Sequence, residues 1–201
     1  MQADPLDDAA RGRFSRIIHD ESLRLTRLLD DLLDLAVLED GRVTLHEGCV
    51  VLRDVLDRAT YAAGAMEEGG RISIKRTPEA EAIEVVTDGD RLAQVFINLI
   101  SNAQKYCDAD APRLSITVHS LPGRVEIEFA DNGTGIPPRQ QTLIFEKFAR
   151  LETAKGAPGA GLGLAISREI MSNLGGGLVY VPGVTGTRFR VRLPARALRV
   201  A

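Results

Sequence analysis

The chain has 201 residues, of which 44% are hydrophobic and 26% charged, so it can form a packed domain with a helical appendage. Its net charge of −3 argues against nucleic-acid binding, and no apolar run reaches the roughly 18 residues that a membrane span requires. Cys49 and Cys107 lie outside any Cys-x-x-Cys or Cys/His cluster, which argues against disulfides and structural zinc and favours a reducing, cytoplasmic location.

The first predicted element is a long amphipathic helix over residues 14–39. Ile18, Leu25 and Leu32 recur every seven residues, further leucines fill the neighbouring positions, and most charges lie elsewhere. This pattern is typical of a helix in a bundle, and Gly41 predicts its end. Because one helix cannot bury such a stripe alone, we expect partners from a second chain or from another segment.

The remaining sequence predicts a mixed domain of helices and strands. In chain order the predicted elements are a helix at 52–67 ended by Gly69-Gly70, strands at 72–76 and 83–86, a helix at 89–106, a hairpin of strands 114–119 and 125–129, a polar loop at 132–160 with a short helix near 138–143, a helix at 161–174, and a hairpin of strands 178–181 and 187–193. The strands are mostly antiparallel and follow no β-α-β rhythm. We therefore predict an α+β fold, a two-layer α/β sandwich, rather than a doubly wound sheet.

The helix at 89–106 carries a polar stripe beside its apolar face. Asn98, Asn102 and Lys105 follow one another at i, i+4 and i+7, which places them at the rim of the core. Two carboxamide oxygens beside an ammonium group suit a hydrated magnesium ion and the phosphates that it bridges. The alternative for this helix alone is an ordinary polar boundary.

Two glycine-containing loops suggest a ligand with a flat part and an anionic part. Residues 131–135, Asp-Asn-Gly-Thr-Gly, follow a strand, so a carboxylate there can accept a hydrogen bond from an exocyclic amine. Residues 159–164, Gly-Ala-Gly-Leu-Gly-Leu, open a helix, where backbone N–H groups form an anion site. The second loop is neither a Walker loop nor a dinucleotide fingerprint. Each loop alone is also compatible with an ordinary turn.

Five motifs occur in a specific order. They are Asn-x-x-x-Asn-Ala-x-Lys-Tyr from Asn98, Asp-x-Gly-x-Gly from Asp131, Phe-Glu-Lys-Phe from Phe145, Gly-x-Gly-Leu-Gly-Leu from Gly159 and Gly-Thr-x-Phe from Gly186. This set resembles the N, G1, F, G2 and G3 boxes of sensor histidine kinases, in the superfamily shared with gyrase, MutL-type and chaperone ATPases. The resemblance covers about residues 14–195, and residues 24–35 resemble the second helix of the dimerisation domain.

The resemblance implies a GHKL, or Bergerat, ATP-binding fold and two regions. Residues 1–41 would be part of a dimerisation and histidine phosphotransfer domain, and residues 42–201 the catalytic ATP-binding domain. The implied activity is transfer of the γ-phosphate of Mg-ATP to a histidine, for relay to a response regulator receiver domain. The implied partners are that receiver, the phosphoacceptor helix and a second copy of the chain in a homodimer. Neither nucleic acid nor membrane contact is implied within this chain, although a longer protein could be membrane-anchored.

The resemblance also implies roles for individual residues. The implied cofactor-binding residues are Asn98, Asn102, Lys105, Tyr106, Asp131, Gly133, Gly135, Ile136, Phe148, Gly159, Gly161, Leu162, Gly163, Leu164 and Thr187. The implied magnesium ligands are Asn102 and Asn98, and the implied catalytic residues are Asn98, Lys105 and Arg150. Asp131 would hold the adenine amine. Residues 137–158 would form a lid over ATP, with Phe145 and Phe148 as anchors and Lys155 as a further phosphate contact.

Two features refine this hypothesis. ATP-hydrolysing relatives carry a glutamate one turn before the magnesium asparagine, but this chain has Asn98 there, and asparagine cannot act as a general base. His19-Asp20 lacks the proline of the family's phosphoacceptor motif and lies on the apparent second helix. We therefore expect the acceptor histidine upstream, outside this chain. The alternatives are a degenerate nucleotide-binding module that acts as an interaction scaffold, and a GHKL-type ATPase clamp.

Overall fold

The computed structural model describes residues 8–41, 43–65, 71–77, 80–150, 160–183 and 185–194. The elements in chain order are α1 (Asp8–Glu39), β1 (Gly48–Val51), α2 (Leu52–Ala62), β2 (Ser73–Lys75), β3 (Glu84–Thr87), α3 (Gly89–Tyr106), β4 (Arg113–Leu121), β5 (Arg124–Asp131), a 3-10 helix (Pro138–Gln140), α4 (Gly163–Asn173), β6 (Gly177–Tyr180) and β7 (Arg188–Pro194). The predicted mixed α/β architecture is confirmed.

The strands form two sheets. The larger sheet has the order β2-β4-β5-β7-β6, and the smaller pairs β1 with β3. In the larger sheet β2 runs parallel to β4 while the remaining neighbours are antiparallel, as predicted for the two hairpins. The β4–β5 register pairs Leu121 with Arg124, so Pro122 and Gly123 form the predicted turn.

The core lies between the larger sheet and a layer of helices. Period-2 alternation along the central strands sends apolar side chains to one face, which α3 and α4 cover. The fully buried Phe96 of α3 contacts Phe129 of β5, with ring centroids 5.3 Å apart. The opposite face carries charged side chains: Glu126, for example, lies 3.2 Å from Arg192 and 3.5 Å from Arg190. The sheet and the helices thus form the two layers of the sandwich.

Helix α3 has the bounds that the sequence predicts. Asp88 caps its first turn, because its Oδ1 accepts hydrogen bonds from the backbone N–H groups of Asp90 and Arg91, both at 3.1 Å. The helix buries Leu92, Phe96 and six further residues of its apolar face. Its polar stripe therefore emerges beside the core, which positions the side chains of the candidate site.

Helix α2 is shorter than predicted. It ends at Ala62 rather than near residue 67, since Gly64 adopts a positive φ of 64°. The N–H of Gly64 donates to Tyr61 O at 2.9 Å and that of Ala65 donates to Thr60 O at 3.1 Å. These bonds satisfy the last carbonyl groups, so the helix terminates before Gly69-Gly70. The predicted short helix near 138–143 is likewise reduced to one 3-10 turn at Pro138–Gln140.

Helix α1 has two apolar faces rather than one stripe. Leu35 and Leu38 are buried and Leu28 packs beside them, so the C-terminal part of the helix contacts α4. Ile18 and Leu25 are 66% and 57% exposed and belong to a second face. The predicted partner for that exposed face stays a prediction. None of the helices in the described part of the chain is long and apolar enough to cross a membrane.

Candidate functional site

A cavity of about 430 Å³ opens between α3, the loop after β5 and the start of α4. The residues that line it are Asp31, Asn98, Leu99, Asn102, Ala103, Lys105, Tyr106, Leu114, Phe129, Asp131, Ile136, Gln140, Leu143, Ile144, Ala149, Arg150, Ala160, Gly161, Leu162, Gly163, Leu164, Thr187 and Phe189. The volume lies in the range of small-molecule and cofactor sites, and apolar walls with a few converging polar groups are typical of them.

Most residues that the sequence singled out meet in this cavity. The predicted residues that line it are Asn98, Asn102, Lys105, Tyr106, Asp131, Ile136, Arg150, Gly161, Leu162, Gly163, Leu164 and Thr187. Asp131 ends a strand and Asn102 lies on a helix, yet both face the same space. The motifs that are separate in sequence therefore form one site.

Three predicted contact residues do not line the cavity. Gly133 packs behind it, where an added Cβ would lie 2.8 Å from Asp108 Oδ1. Gly135 approaches the backbone of Gly186, also behind the wall. The side chain of Phe148 is 56% exposed and is not part of the lining, so its predicted contact with the nucleotide stays a prediction. Gly159 and Lys155 lie outside the described residues.

Asp131 is held by the backbone of two loops. Its Oδ1 accepts hydrogen bonds from the N–H groups of Gly133 and Thr187, both at 2.9 Å. Within the described ranges its Oδ2 accepts none, so one carboxylate oxygen fixes the side chain and the other is available to a ligand. The Asp131 N–H also donates to Thr187 O at 2.9 Å, which ties the end of β5 to the start of β7.

Gly186 allows this close approach. Its φ is 70°, and an added Cβ would collide with the carbonyl oxygen of Asp131. The Gly-Thr motif at the start of the last strand therefore has a steric reason. It brings Thr187 beside Asp131 at one end of the cavity.

The loop after β5 is braced by the loop after α3. Asp108 accepts hydrogen bonds from the N–H and the hydroxyl of Thr134, both at 2.8 Å, and these bonds hold the pKa of Asp108 below its usual value. The side chain of Asn132 accepts from the Arg113 N–H at 2.7 Å and donates to Ala111 O at 3.0 Å. These contacts fix the Asp-x-Gly-x-Gly loop against the C-terminal end of α3, which also carries Lys105 and Tyr106.

The start of α4 faces the cavity with an uncapped turn. Leu162 is its N-cap residue and makes no side-chain capping hydrogen bond, while the residues around the first turn line the space. The free backbone N–H groups of a helix start attract anions. Gly163 also lies directly against Asn98, whose Nδ2 donates to Ser167 Oγ at 2.8 Å. An added Cβ at Gly163 would collide with the Asn98 carboxamide.

Asn102 is a polar side chain of α3 that is available to a ligand. Its carboxamide makes no hydrogen bond to the described part of the chain, and it lines the cavity together with the exposed Lys105. Among the described residues no group of three or more His, Cys, Asp or Glu side chains could hold a metal ion. The carboxamide oxygen of Asn102 could coordinate a magnesium ion that takes most of its ligands from phosphates and water.

An aromatic side chain, Phe145, anchors the segment that ends at Arg150, where the described range stops. Phe145 is 9% exposed, meets the Phe189 ring edge-on at 6.1 Å between centroids, and has the Arg168 guanidinium 5.4 Å from its ring centroid. The predicted role of Phe145 as an anchor of a lid stays a prediction. Phe148 instead lies at the surface with a φ of 63°.

Sequence reasoning missed Asp31 and part of the apolar wall. The sheet contributes three apolar side chains to the cavity lining, Leu114, Phe129 and Phe189. The alternating pattern of their strands predicted only that they would lie in the core. Asp31 comes from α1, whose heptad pattern does not reveal which face contacts the rest of the chain. Burial, Asp34 and Asp30 raise the pKa of Asp31, while Lys105 lowers it.

Comparison with known proteins agrees with this geometry. The family described as histidine kinase-, DNA gyrase B-, and HSP90-like ATPase matches residues 87–197, more than half of the chain. The sensor protein KdpD of Escherichia coli (strain K12) is 35% identical over 195 residues, which are 94% of this chain and 21% of KdpD. The signal transduction histidine-protein kinase/phosphatase MprB of Mycolicibacterium paratuberculosis is 36% identical over 180 residues, 87% of this chain and 33% of MprB. The chain thus spans a third or less of the length of these two relatives.

Solved structures support the same relationship. The crystal structure of full-length ShkA in complex with AMPPNP superposes with a TM-score of 0.77 at 27% identity, over 98% of this chain and 41% of ShkA. The structure of the mycobacterial sensor histidine kinase MprB has a TM-score of 0.64 at 29% identity, over 74% of this chain and 99% of that one. The chain therefore belongs to the family of histidine kinase-, DNA gyrase B-, and HSP90-like ATPases, as a homologue of the ATP-binding catalytic domains of two-component sensor histidine kinases.

Proposed function

We propose that this chain binds Mg-ATP in the cavity and transfers the γ-phosphoryl group to a histidine of a dimerisation domain. The observation that supports this most strongly is the convergence of Asp131, Asn102, Lys105 and the start of α4 on one cavity. Asp131 provides an acceptor for an amine, and Asn102 provides a ligand for a hydrated cation. Lys105 adds a positive charge, and the start of α4 provides an anion site. ATP presents the complementary groups in one molecule.

The end of the cavity near Asp131 fits adenine. Its free Oδ2 would accept a hydrogen bond from the exocyclic amine, and the Thr187 side chain lies beside it. Ile136, Leu162 and Phe129 supply apolar surface for a flat ring. Gly133 and Gly135 would act indirectly, since they allow the loop to hold Asp131 in place.

Other groups in the cavity lining fit a triphosphate. The uncapped start of α4 would bind phosphate oxygens through backbone N–H groups, and Lys105 and Arg150 would add positive charge. Asn102 would hold magnesium through its carboxamide oxygen, and the bound ion would neutralise negative charge on the phosphates. Asn98 would assist from the same stripe, although its amide group is already tied to Ser167.

The same geometry favours transfer over hydrolysis. Asn98 occupies the position one turn before Asn102, where a general base would activate water. A carboxamide cannot take up that proton at neutral pH, and this one is held against α4. A histidine ring is a better nucleophile than water and requires less activation.

The domain assignment and the partners extend this proposal. Residues 1–41 would belong to the dimerisation domain and residues 42–201 to the catalytic domain. The exposed face of α1, with Ile18, Leu25 and Leu33, would pack in a homodimer with the helix that carries the phosphoacceptor. A receiver domain of a response regulator would then accept the phosphoryl group from that histidine.

A phosphotransfer assay tests the proposal. The chain is mixed with γ-labelled ATP, magnesium and a separately supplied dimerisation domain that contains the acceptor histidine. We expect a label that is stable in base and labile in acid, and none when the acceptor histidine is replaced by alanine. Asn102→Ala should reduce transfer by about 100-fold because a magnesium ligand is lost. Gln104→Ala, on the same helix but outside the cavity lining, is the matched control and should leave transfer unchanged.

Three outcomes would contradict the proposal or one of its parts. ATP binding without transfer would favour an interaction scaffold. ATP hydrolysis by the chain alone at about 1 to 1000 per second, the range of ordinary enzymes, would favour an ATPase. If Asn102→Ala transfers phosphate as fast as the unmodified chain, Asn102 is not a magnesium ligand.

A further inference from the structure

Asp31 is a carboxylate in the lining of the cavity that belongs to none of the five motifs. It lies on α1 and is half-buried, on the same helix face as Leu28, Leu35 and Leu38. The spacing of these four residues is three, four and three, which corresponds to one side of a helix. An acidic side chain therefore interrupts an otherwise apolar docking stripe at the point where the stripe meets the cavity.

Polar contacts hold this part of α1 in place. Asp34 Oδ1 lies 2.8 Å from Arg91 Nη1, and its Oδ2 accepts a hydrogen bond from Gln94 Nε2 at 2.8 Å. Both partners are on α3. At the end of α1, Glu39 pairs with Lys147 at 2.7 Å. Together with the buried Leu35 and Leu38 these contacts fix the register of α1, and the register determines that Asp31 faces the cavity.

The charges around Asp31 explain why its position matters for an anionic ligand. Burial, Asp34 and Asp30 disfavour its ionised form and raise its pKa, whereas the ammonium group of Lys105 favours the ionised form. Asp31 and Lys105 both line the cavity. A phosphate group drawn to Lys105 therefore enters the same cavity as the carboxylate of Asp31.

We propose that Asp31 lowers the affinity of the cavity for polyphosphate while α1 is docked, so that the helix competes with the triphosphate for Lys105. This inference rests on the ATP-binding function proposed above. Repulsion between like charges in a partly desolvated site opposes binding, and it grows with the charge of the ligand. Metal-free ATP is more negative than Mg-ATP and should be affected more, whereas adenosine has no phosphate and should not be affected.

Isothermal titration calorimetry on the 201-residue chain tests this inference. The variant Asp31→Asn keeps the shape of the side chain and removes its charge. We expect metal-free ATP, measured in the presence of a chelator, to bind at least about fivefold more tightly than to the unmodified chain. Mg-ATP should gain less, and adenosine affinity should be unchanged. Asp30→Asn removes an equal charge from an exposed neighbour on the same helix, outside the cavity lining, and should change ATP affinity by less than about twofold.

A second variant tests the dependence on docking. Arg91→Gln removes the ion pair with Asp34 but lies outside the cavity lining. If docking of α1 presents Asp31, this change should also tighten metal-free ATP binding, and it should add little to Asp31→Asn in the double variant.

The outcomes separate this inference from the proposed function. If all chains bind ATP with equal affinity, the role of Asp31 is wrong while the ATP site stands. Weaker Mg-ATP binding by Asp31→Asn would make Asp31 a metal ligand and would overturn the inference. If Asp30→Asn tightens ATP binding as much as Asp31→Asn does, the effect comes from the net charge of the chain, and the inference about Asp31 is wrong. If no chain binds ATP, the proposed function fails and the inference fails with it.

Discussion

Asp131 and Gly163 are single residues of the site that are each fixed by contact with a second segment of the chain. The sequence predicted that Asp131 offers a carboxylate after a strand. It did not predict that one carboxylate oxygen would accept hydrogen bonds from the Gly133 and Thr187 N–H groups. This arrangement depends on a contact between Asp131 and Thr187, which are 56 residues apart in sequence. Gly163 is similar: the motif suggested an anion site, whereas the structure adds close packing on Asn98.

Gly163→Ala tests that packing. Alanine normally stabilises a helix relative to glycine, but a Cβ at this position would collide with the Asn98 side chain. We expect the free energy of unfolding to fall by about 1 to 3 kcal/mol, together with weaker ATP binding, as urea denaturation and calorimetry can measure. Gly177→Ala is the control, because an added Cβ there meets nothing within 4 Å. Equal stability of the two variants would show that α3 and α4 can move apart at no cost.

At the scale of whole elements, local signals decided which predictions succeeded. The bounds of α3 follow from a capping aspartate and a regular apolar face, and both were visible in sequence. The sequence predicted the end of α2 too late, because two consecutive glycines at 69 and 70 are a stronger helix-ending signal than one. In the structure the helix ends at Ala62, before the positive φ of Gly64. The parallel pairing of β2 with β4 joins distant segments and had no local signal.

The cap of α3 gives a pH-dependent prediction. Burial alone would raise the pKa of Asp88, but the backbone N–H groups of Arg91, His46 and Asp90 outweigh it, so the pKa lies below its ordinary value of 3.8. A lowered pKa means that the carboxylate stabilises the fold above pH 3.8, and that this contribution is lost as the pH falls through the lower folded-state pKa.

Asp88→Ala should therefore cost about 1 kcal/mol of unfolding free energy near neutral pH. The variant should also lose less stability than the unmodified chain between about pH 5 and about pH 2, since it lacks the titrating group. Urea denaturation across this range measures both effects. Asp90→Ala, in the same turn but with an exposed side chain, should change stability less. Parallel pH profiles for Asp88→Ala and the unmodified chain would contradict the assignment of the cap.

At the scale of the whole molecule, segments that are far apart in sequence, from Asp31 to Phe189, meet in one cavity. The order of the five motifs, more than any single motif, predicted this convergence through the resemblance to a known family. The docking of α1 could not be predicted in the same way. Leucines occupy two faces of that helix, and periodicity alone does not say whether Leu35 or Leu33 turns towards the domain. Asp31 consequently escaped notice, although it lines the same space as Asp131.

If Asp131 recognises adenine in this cavity, its replacement by asparagine should weaken that recognition, and calorimetric titration of Asp131→Asn measures the change. Asparagine can still accept the hydrogen bonds of the Gly133 and Thr187 N–H groups, so the fold should persist, but it presents an NH₂ donor where the ligand amine needs an acceptor. Asp110→Asn, an exposed change of equal charge outside the cavity lining, is the control.

We predict that Asp131→Asn weakens ATP binding by at least about 30-fold and reduces the preference for ATP over inosine triphosphate, whose ring carries a carbonyl in place of the amine. Asp110→Asn should bind ATP as the unmodified chain does. Unchanged ATP affinity in a folded Asp131→Asn chain would show that Asp131 does not recognise adenine.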